Sequence, residues 1–195
     1  MHRPHDDPVV IECKVANQLV GRILIDTGSS SDIISLRCLQ KLKYNVSSMH
    51  PVTHPLVGFG GGMVYPAGRI DLPIRLGEKG QGRHIVVRFL VVEELTAYNI
   101  ILGRPTLNEA KAVIIPSLNM LIKYERDDGS VGSLSGDQKT ARECYLSAVK
   151  DNVAADGQGK EPIDLDNVKD ASPPPPAAGK TRKVAQLMEV KKEKK

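Results

Sequence analysis

At 195 residues the chain has room for one domain or somewhat more, and with 4% aromatic residues and no Trp its core must be Val, Ile and Leu. Its three cysteines, Cys13, Cys38 and Cys144, are odd in number and widely spaced, which argues against a disulfide framework and against a thiolate metal site, and fits a reducing compartment. The net charge of +4 is unevenly placed: residues 180–195 alone hold seven basic and two acidic side chains. No apolar run approaches a membrane span, and the opening residues do not read as a signal peptide.

Taken in chain order, residues 1–7 read as a disordered N-terminus and 8–126 as an all-β domain. Residues 9–15 and 19–25 are predicted strands joined by a turn at Ala16-Asn17-Gln18. A short strand at Ile33-Ile34-Ser35 follows. Residues 36–44 are predicted helical, with Leu36, Leu39 and Leu42 on one side. Alternation from Val64 to Leu76 predicts a half-buried strand, residues 85–92 a long strand buried in the middle, and residues 98–102 another. Pro105 is placed to open a helix over residues 106–111. Residues 113–115 and 120–124 are predicted to close the domain as a hairpin around Pro116-Ser117-Leu118-Asn119. Strands this short and this frequent predict a small closed barrel or a sandwich.

Beyond Asp127 the pattern weakens. Residues 127–150 read as a flexible connector with a short helix over 138–149, on which Ala141, Tyr145 and Val149 share a face. Residues 151–195, rich in Pro, Gly, Lys and Asp, are expected to be a disordered tail with a basic end.

Asp26-Thr27-Gly28-Ser29 stands directly behind the apolar run Ile23-Leu24-Ile25. These residues also suit an ordinary turn, since Asp and Thr bond local backbone and Gly supplies conformational freedom. Yet an ionised carboxylate at the edge of an apolar core costs several kcal/mol unless partners relieve it, and chains often accept that cost for chemistry. Acid proteolysis needs two carboxylates sharing one proton. The sequence holds one Asp-Thr-Gly. A two-fold homodimer, with Asp26 of each copy at the axis, is the simplest source of the second.

The stretch Leu24-Ile25-Asp26-Thr27-Gly28-Ser29-Ser30-Ser31-Asp32-Ile33-Ile34, a glycine-rich hairpin, and then Ile100-Ile101-Leu102-Gly103-Arg104 resemble the retropepsin-like aspartic proteases of retroviruses and LTR retrotransposons. The likeness is nearest to plant gypsy-type elements, and Gly136 to Tyr145 resembles the segment that follows the protease in their polyproteins. The resemblance implies a small closed barrel-like acid protease fold with one or two short helices. It implies a homodimeric aspartic-type endopeptidase that processes a Gag-Pol-like polyprotein, without cofactor or metal, in the cytoplasm or within virus-like particles. Asp26 would be the catalytic carboxylate, Thr27 a brace across the dimer, and Gly28 and Ser29 the turn that admits substrate backbone. Ile101, Leu102 and Gly103 would pack beneath the turn, and Gly58-Phe59-Gly60-Gly61-Gly62 would be the flap that closes over substrate. Many retroviral members place an acidic partner for Arg104 at the position of Ser30; Asp32 is the alternative here.

Two other readings use the same chain. One is a catalytically inactive interaction module or retrotransposon remnant with the same fold. The other is a nucleic-acid contact through the Lys-rich tail. His50 and His54 are spaced for a metal only on a helix, which Pro51 and Pro55 disfavour. Ser29, Ser30 and Ser31 suit turn bonding better than nucleophilic catalysis. Cys38 reads as an unreactive thiol near a helix, and Asp71, Asp127 and Asp128 as surface carboxylates.

Overall fold

Strict alternation along the two longest strands shows why a barrel forms with so few aromatic residues. In a computed structural model, residues 7–58, 62–95, 97–115 and 120–155 are described. In chain order these residues form β1 (Val10–Val15), β2 (Gln18–Ile25), β3 (Asp32–Ser35), α1 (Leu36–Lys41), β4 (Leu56–Val57) and β5 (Met63–Val64). There follow β6 (Gly68–Leu76), β7 (Arg83–Val92), β8 (Ile100–Leu102), α2 (Arg104–Glu109), β9 (Val113–Ile115), β10 (Leu121–Glu125), β11 (Val131–Ser135) and α3 (Gln138–Ala155).

Ile70, Leu72, Ile74 and Leu76 of β6 and Ile85, Val87, Phe89 and Val91 of β7 turn inward, every second residue, while Arg69, Asp71, Arg75 and Arg88 turn outward. Six strands close in the order β1-β2-β8-β3-β7-β6, with β6 returning to β1 through Lys14↔Arg75 and Val15↔Ile74. Phe89 lies at the centre, fully buried. Each aliphatic side chain taken fully out of water here contributes about 1.5–3 kcal/mol. Asp71 and Arg88, opposite one another on β6 and β7, pair across the outer face at 3.1 Å.

One crossover positions the site. β2 and β3 are consecutive in the chain but are not neighbours in the barrel; β8 lies between them, parallel to β2 and antiparallel to β3. The six residues of the intervening turn, 26–31, therefore sit at one end of β8, against the residues that follow it.

Several expectations are corrected. α1 ends at Lys41 and not at Tyr44, because Lys43 turns left-handed at φ +54°. Val64 belongs to the short β4–β5 hairpin, and the long strand opens only at Gly68. The helix behind Pro105 begins at Arg104 and ends at Glu109. Within the segment read as a flexible connector, β11 pairs residue for residue with β10, from Leu121↔Ser135 to Glu125↔Val131. Its Gly132 leaves the space into which the Tyr124 ring packs, so a residue type read as a linker signal serves close approach. α3 runs on to Ala155, and it buries Ala141 and Cys144 while Tyr145 is 60% exposed. The face expected from spacing is therefore split, with Ala141 turned inward and Tyr145 outward. Pro116–Asn119, the N-terminal six residues and 156–195 lie outside the described residues. Among the described residues no helix is long and apolar enough to cross a membrane.

Candidate active site

Asp26 is the first residue beyond β2, and the strand ladder holds its backbone. Ile25 pairs with Leu102 of β8, and the Asp26 N–H donates to the Leu102 carbonyl at 3.0 Å, one step past the strand. From there the chain turns. Asp26 Oδ1 accepts the Gly28 N–H at 2.8 Å, and the Asp26 carbonyl accepts the Ser29 N–H at 3.2 Å. Ser29 Oγ donates to the Ser31 carbonyl at 2.6 Å, which completes the return toward β3. The carboxylate is half-buried, with one oxygen committed to Gly28.

The segment after β8 braces this turn from below. The Arg104 N–H donates to the Ser29 carbonyl at 3.0 Å, and its Nη1 donates to the carbonyls of Thr27 at 3.1 Å and Gly28 at 2.8 Å. A Cβ on Gly103 would lie 2.9 Å from the Ser29 carbonyl oxygen and closer still to that of Ser31, so the two loops meet backbone to backbone. This close approach requires glycine.

Asp32 does not serve Arg104. Its side chain is 3% exposed, and Oδ1 accepts the Gly103 N–H at 2.7 Å. Burial pushes its pKa up, opposed by the Gly103 N–H and then by Thr106. Arg104 is instead satisfied by carbonyls of the turn, and Ser30 has no part in holding it.

Above Asp26 opens a cleft of about 590 Å3. Asp26, Gly28, Ile33 and Ile101 form one side, and Leu56, Val57, Met63 and Val64 of the β4–β5 hairpin form the other. The hairpin is closed by the Gly58 N–H donating to the Gly62 carbonyl at 2.9 Å. Val57 and Met63 are 68% and 61% exposed, so this hairpin holds apolar surface in solvent beside the carboxylate. Such surface, with few polar groups, suits an apolar ligand more than a charged one.

Ile101 faces the cleft, whereas Leu102 and Gly103 are buried beneath the turn and support it. Thr27 is exposed at the turn's apex. Gly58 and Gly62 flank the cleft; Phe59, Gly60 and Gly61 lie outside the described residues. Sequence reasoning missed Val92, Glu94 and Leu95, which line the cleft from the β7–β8 connection. It also passed over Leu56-Val57 and Met63-Val64, although matched apolar pairs on either side of a glycine run are a legible sign of a hairpin with an apolar face. Among the described residues Glu94 is the other carboxylate lining the cleft, and it makes no hydrogen bond to Asp26.

The remaining candidates are structural. His50 exchanges backbone hydrogen bonds with Arg69, both at 2.9 Å, and His54 meets Thr53. Cys13, Cys38 and Cys144 are buried free thiols; burial pushes Cys13 up to about 12 and raises Cys38. Asp127 pairs with His84 and Asp128 with Ser130. Among the described residues no group of three or more His, Cys, Asp or Glu is gathered as a metal site would need.

No protein-family model matches the chain, and no curated protein matches it. Among solved structures it is similar to the retroviral protease-like domain of Ddi1 from Leishmania major, at 21% identity over 66% of this chain and 94% of that one, with a TM-score of 0.46. The EIAV protease complexed with the inhibitor HBY-793 is 23% identical over 59% and 99% of the two chains, with a TM-score of 0.44. A retropepsin-like aspartic protease from Rickettsia conorii is 20% identical over 59% and 82%, with a TM-score of 0.44.

Proposed function

We propose that the chain is one half of an aspartic endopeptidase. The observation that carries this reading is Asp26 itself: a carboxylate fixed by the β8 ladder at the floor of an apolar cleft, under a glycine-containing hairpin. One such carboxylate is not enough for the chemistry. With Glu94 out of hydrogen-bond contact, the partner is Asp26 of a second copy, and the enzyme is a homodimer.

In that dimer like charges a few ångströms apart do not both ionise, so the pair holds one proton. The ionised carboxylate takes a proton from water as the oxygen attacks the peptide carbonyl, and the neutral one donates to the carbonyl oxygen. The tetrahedral diol then collapses, the C–N bond breaks and the amine leaves with a proton. The dyad titrates as a unit, which gives a bell-shaped rate profile on the mildly acidic side. The Gly28 N–H fixes the direction in which Asp26 presents its free oxygen.

The resemblance of the motifs extends the proposal to a Gag-Pol-like polyprotein of a plant gypsy-type retrotransposon as substrate, cut in the cytoplasm or inside an assembling particle. The test is cleavage of peptides at about pH 4–6 by the purified chain, inhibited by pepstatin. Asp26→Asn is expected to remove it. Cleavage at an unchanged rate by Asp26→Asn would refute the assignment.

A further inference from the structure

Beside the Asp26 cleft, three cations gather around a recess whose one lining carboxylate among the described residues, Glu94, forms an ion pair with none of them. Arg22 lies in β2, while Arg37 and Lys41 stand one turn apart on α1; all are exposed. Together with Tyr98 they line a polar recess of about 260 Å3. Their side chains make no ion pair or hydrogen bond among the described residues.

The recess is built, not incidental to a flexible surface. β2 carries one extra residue here, the register passing from Ile11↔Ile23 to Cys13↔Val20, and Arg22 is held at φ +55°. That conformation is costly for an arginine, and bulges of this kind re-aim a side chain. Asn99 locks it in place. Its N–H donates to the Arg22 carbonyl at 3.0 Å and its Nδ2 to the Gly21 carbonyl at 2.9 Å, while its own carbonyl accepts the Ser35 N–H at 3.0 Å.

Glu94 and Leu95 line both the recess and the Asp26 cleft, so the two spaces share a wall. A polypeptide lying in the cleft and leaving it over Leu95 enters the recess. We propose that the recess is a subsite for an acidic side chain, Asp or Glu, of the polypeptide bound in the cleft. The inference rests on the reading of that cleft as a peptide site. A guanidinium fork matches a carboxylate in two parallel hydrogen bonds, and two guanidinium groups with an ammonium leave the recess a net cationic surface despite Glu94. Glu94 opposes the same ligand and tempers its affinity.

The experiment uses the full chain carrying Asp26→Asn, which keeps a bound peptide intact. Two fluorescent peptides share an apolar centre and differ in flanking Asp and Glu against Asn and Gln, and binding is read by anisotropy. The acidic peptide is expected to bind about tenfold more tightly at low salt, with the advantage shrinking as salt rises. Glu94→Gln should widen the advantage, and Arg37→Glu with Lys41→Glu should reverse it in favour of a Lys-flanked peptide. That reversal separates a charge-reading site from simple damage to α1. Equal binding of the two peptides overturns the inference, and so does preference for polyuridylate over either, which would assign the recess to nucleic-acid phosphates. Cleavage of both peptides at equal rates by the unmodified chain overturns it while leaving the protease reading intact. Absence of Asp26-dependent cleavage and of all peptide binding removes both.

Discussion

Asp26 and Asp32 stand at the two ends of one short turn, yet the fold treats them in opposite ways. Asp26 is half-buried at the mouth of a cleft, with one oxygen on the Gly28 N–H and the other available. Asp32 is 3% exposed and faces the Gly103 N–H at 2.7 Å, shielded from solvent and outside the lining of the Asp26 cleft. Both carboxylates carry an energetic cost, but only the first is placed to do chemistry. The second stabilises the junction at which the β8 segment passes beneath the turn. Proximity to a catalytic motif therefore does not make a carboxylate catalytic; access and the identity of its hydrogen-bond donors decide.

The contrast is tested most strongly at Asp26. Asp26→Asn keeps the shape and the acceptor for Gly28, so peptide cleavage should fall about 10^2- to 10^4-fold while the melting temperature barely moves. A large loss of stability would place Asp26 with Asp32 as a structural group. Gly103→Ala should show the opposite signature. Its Cβ would strike the Ser29 and Ser31 carbonyls, and denaturant unfolding should report a loss of about 1–3 kcal/mol together with lost cleavage.

Asp32→Ala leaves the Gly103 N–H unpaired and should cost about 1–3 kcal/mol in the same assay. Asp32→Asn retains an acceptor and should cost less. Because burial raises the Asp32 pKa, folding favours its protonated form. The wild type should therefore gain stability relative to Asp32→Asn as pH falls through the folded-state pKa, and lose that gain as pH rises through it. Asp127 and Asp137, held below the ordinary range by His84 and Thr140, lose their contributions on acidification in both proteins and cancel from the comparison. A pH-independent difference would contradict the assignment of Asp32. The smallest effect is expected from Arg104→Ala, which removes two exposed hydrogen bonds to the turn: about 1 kcal/mol of stability, with a larger fall in cleavage than in binding.

Much of this was legible in the residues. The alternation in β6 and β7 and the apolar run before Asp26 are periodic signals, and they mark barrel strands wherever one face is buried. The motif and the Ile-Leu-Gly-Arg loop marked the two segments that meet at the turn. What was not legible depends on contacts distant in sequence. Asp32 could be seen as a partner for Arg104, but the choice of the Gly103 N–H instead follows from β8 passing between β2 and β3. β11 was hidden because Gly132 and the serines around it look like a linker until Tyr124 fills the space above that glycine. Glu94 carries no local signal at all. Only the closure of the barrel brings the β7–β8 connection to the cleft.

The central claim is that Asp26 works only opposite a second Asp26. Its direct test is a mixing experiment: wild-type chain at fixed concentration, increasing Asp26→Asn chain, and peptide cleavage as the readout. If the dyad forms across two copies, activity falls as mixed dimers form, and at equal amounts about a quarter of the dimers retain both carboxylates. Activity that stays constant as Asp26→Asn is added would mean that one copy suffices, and the dimeric account would be wrong.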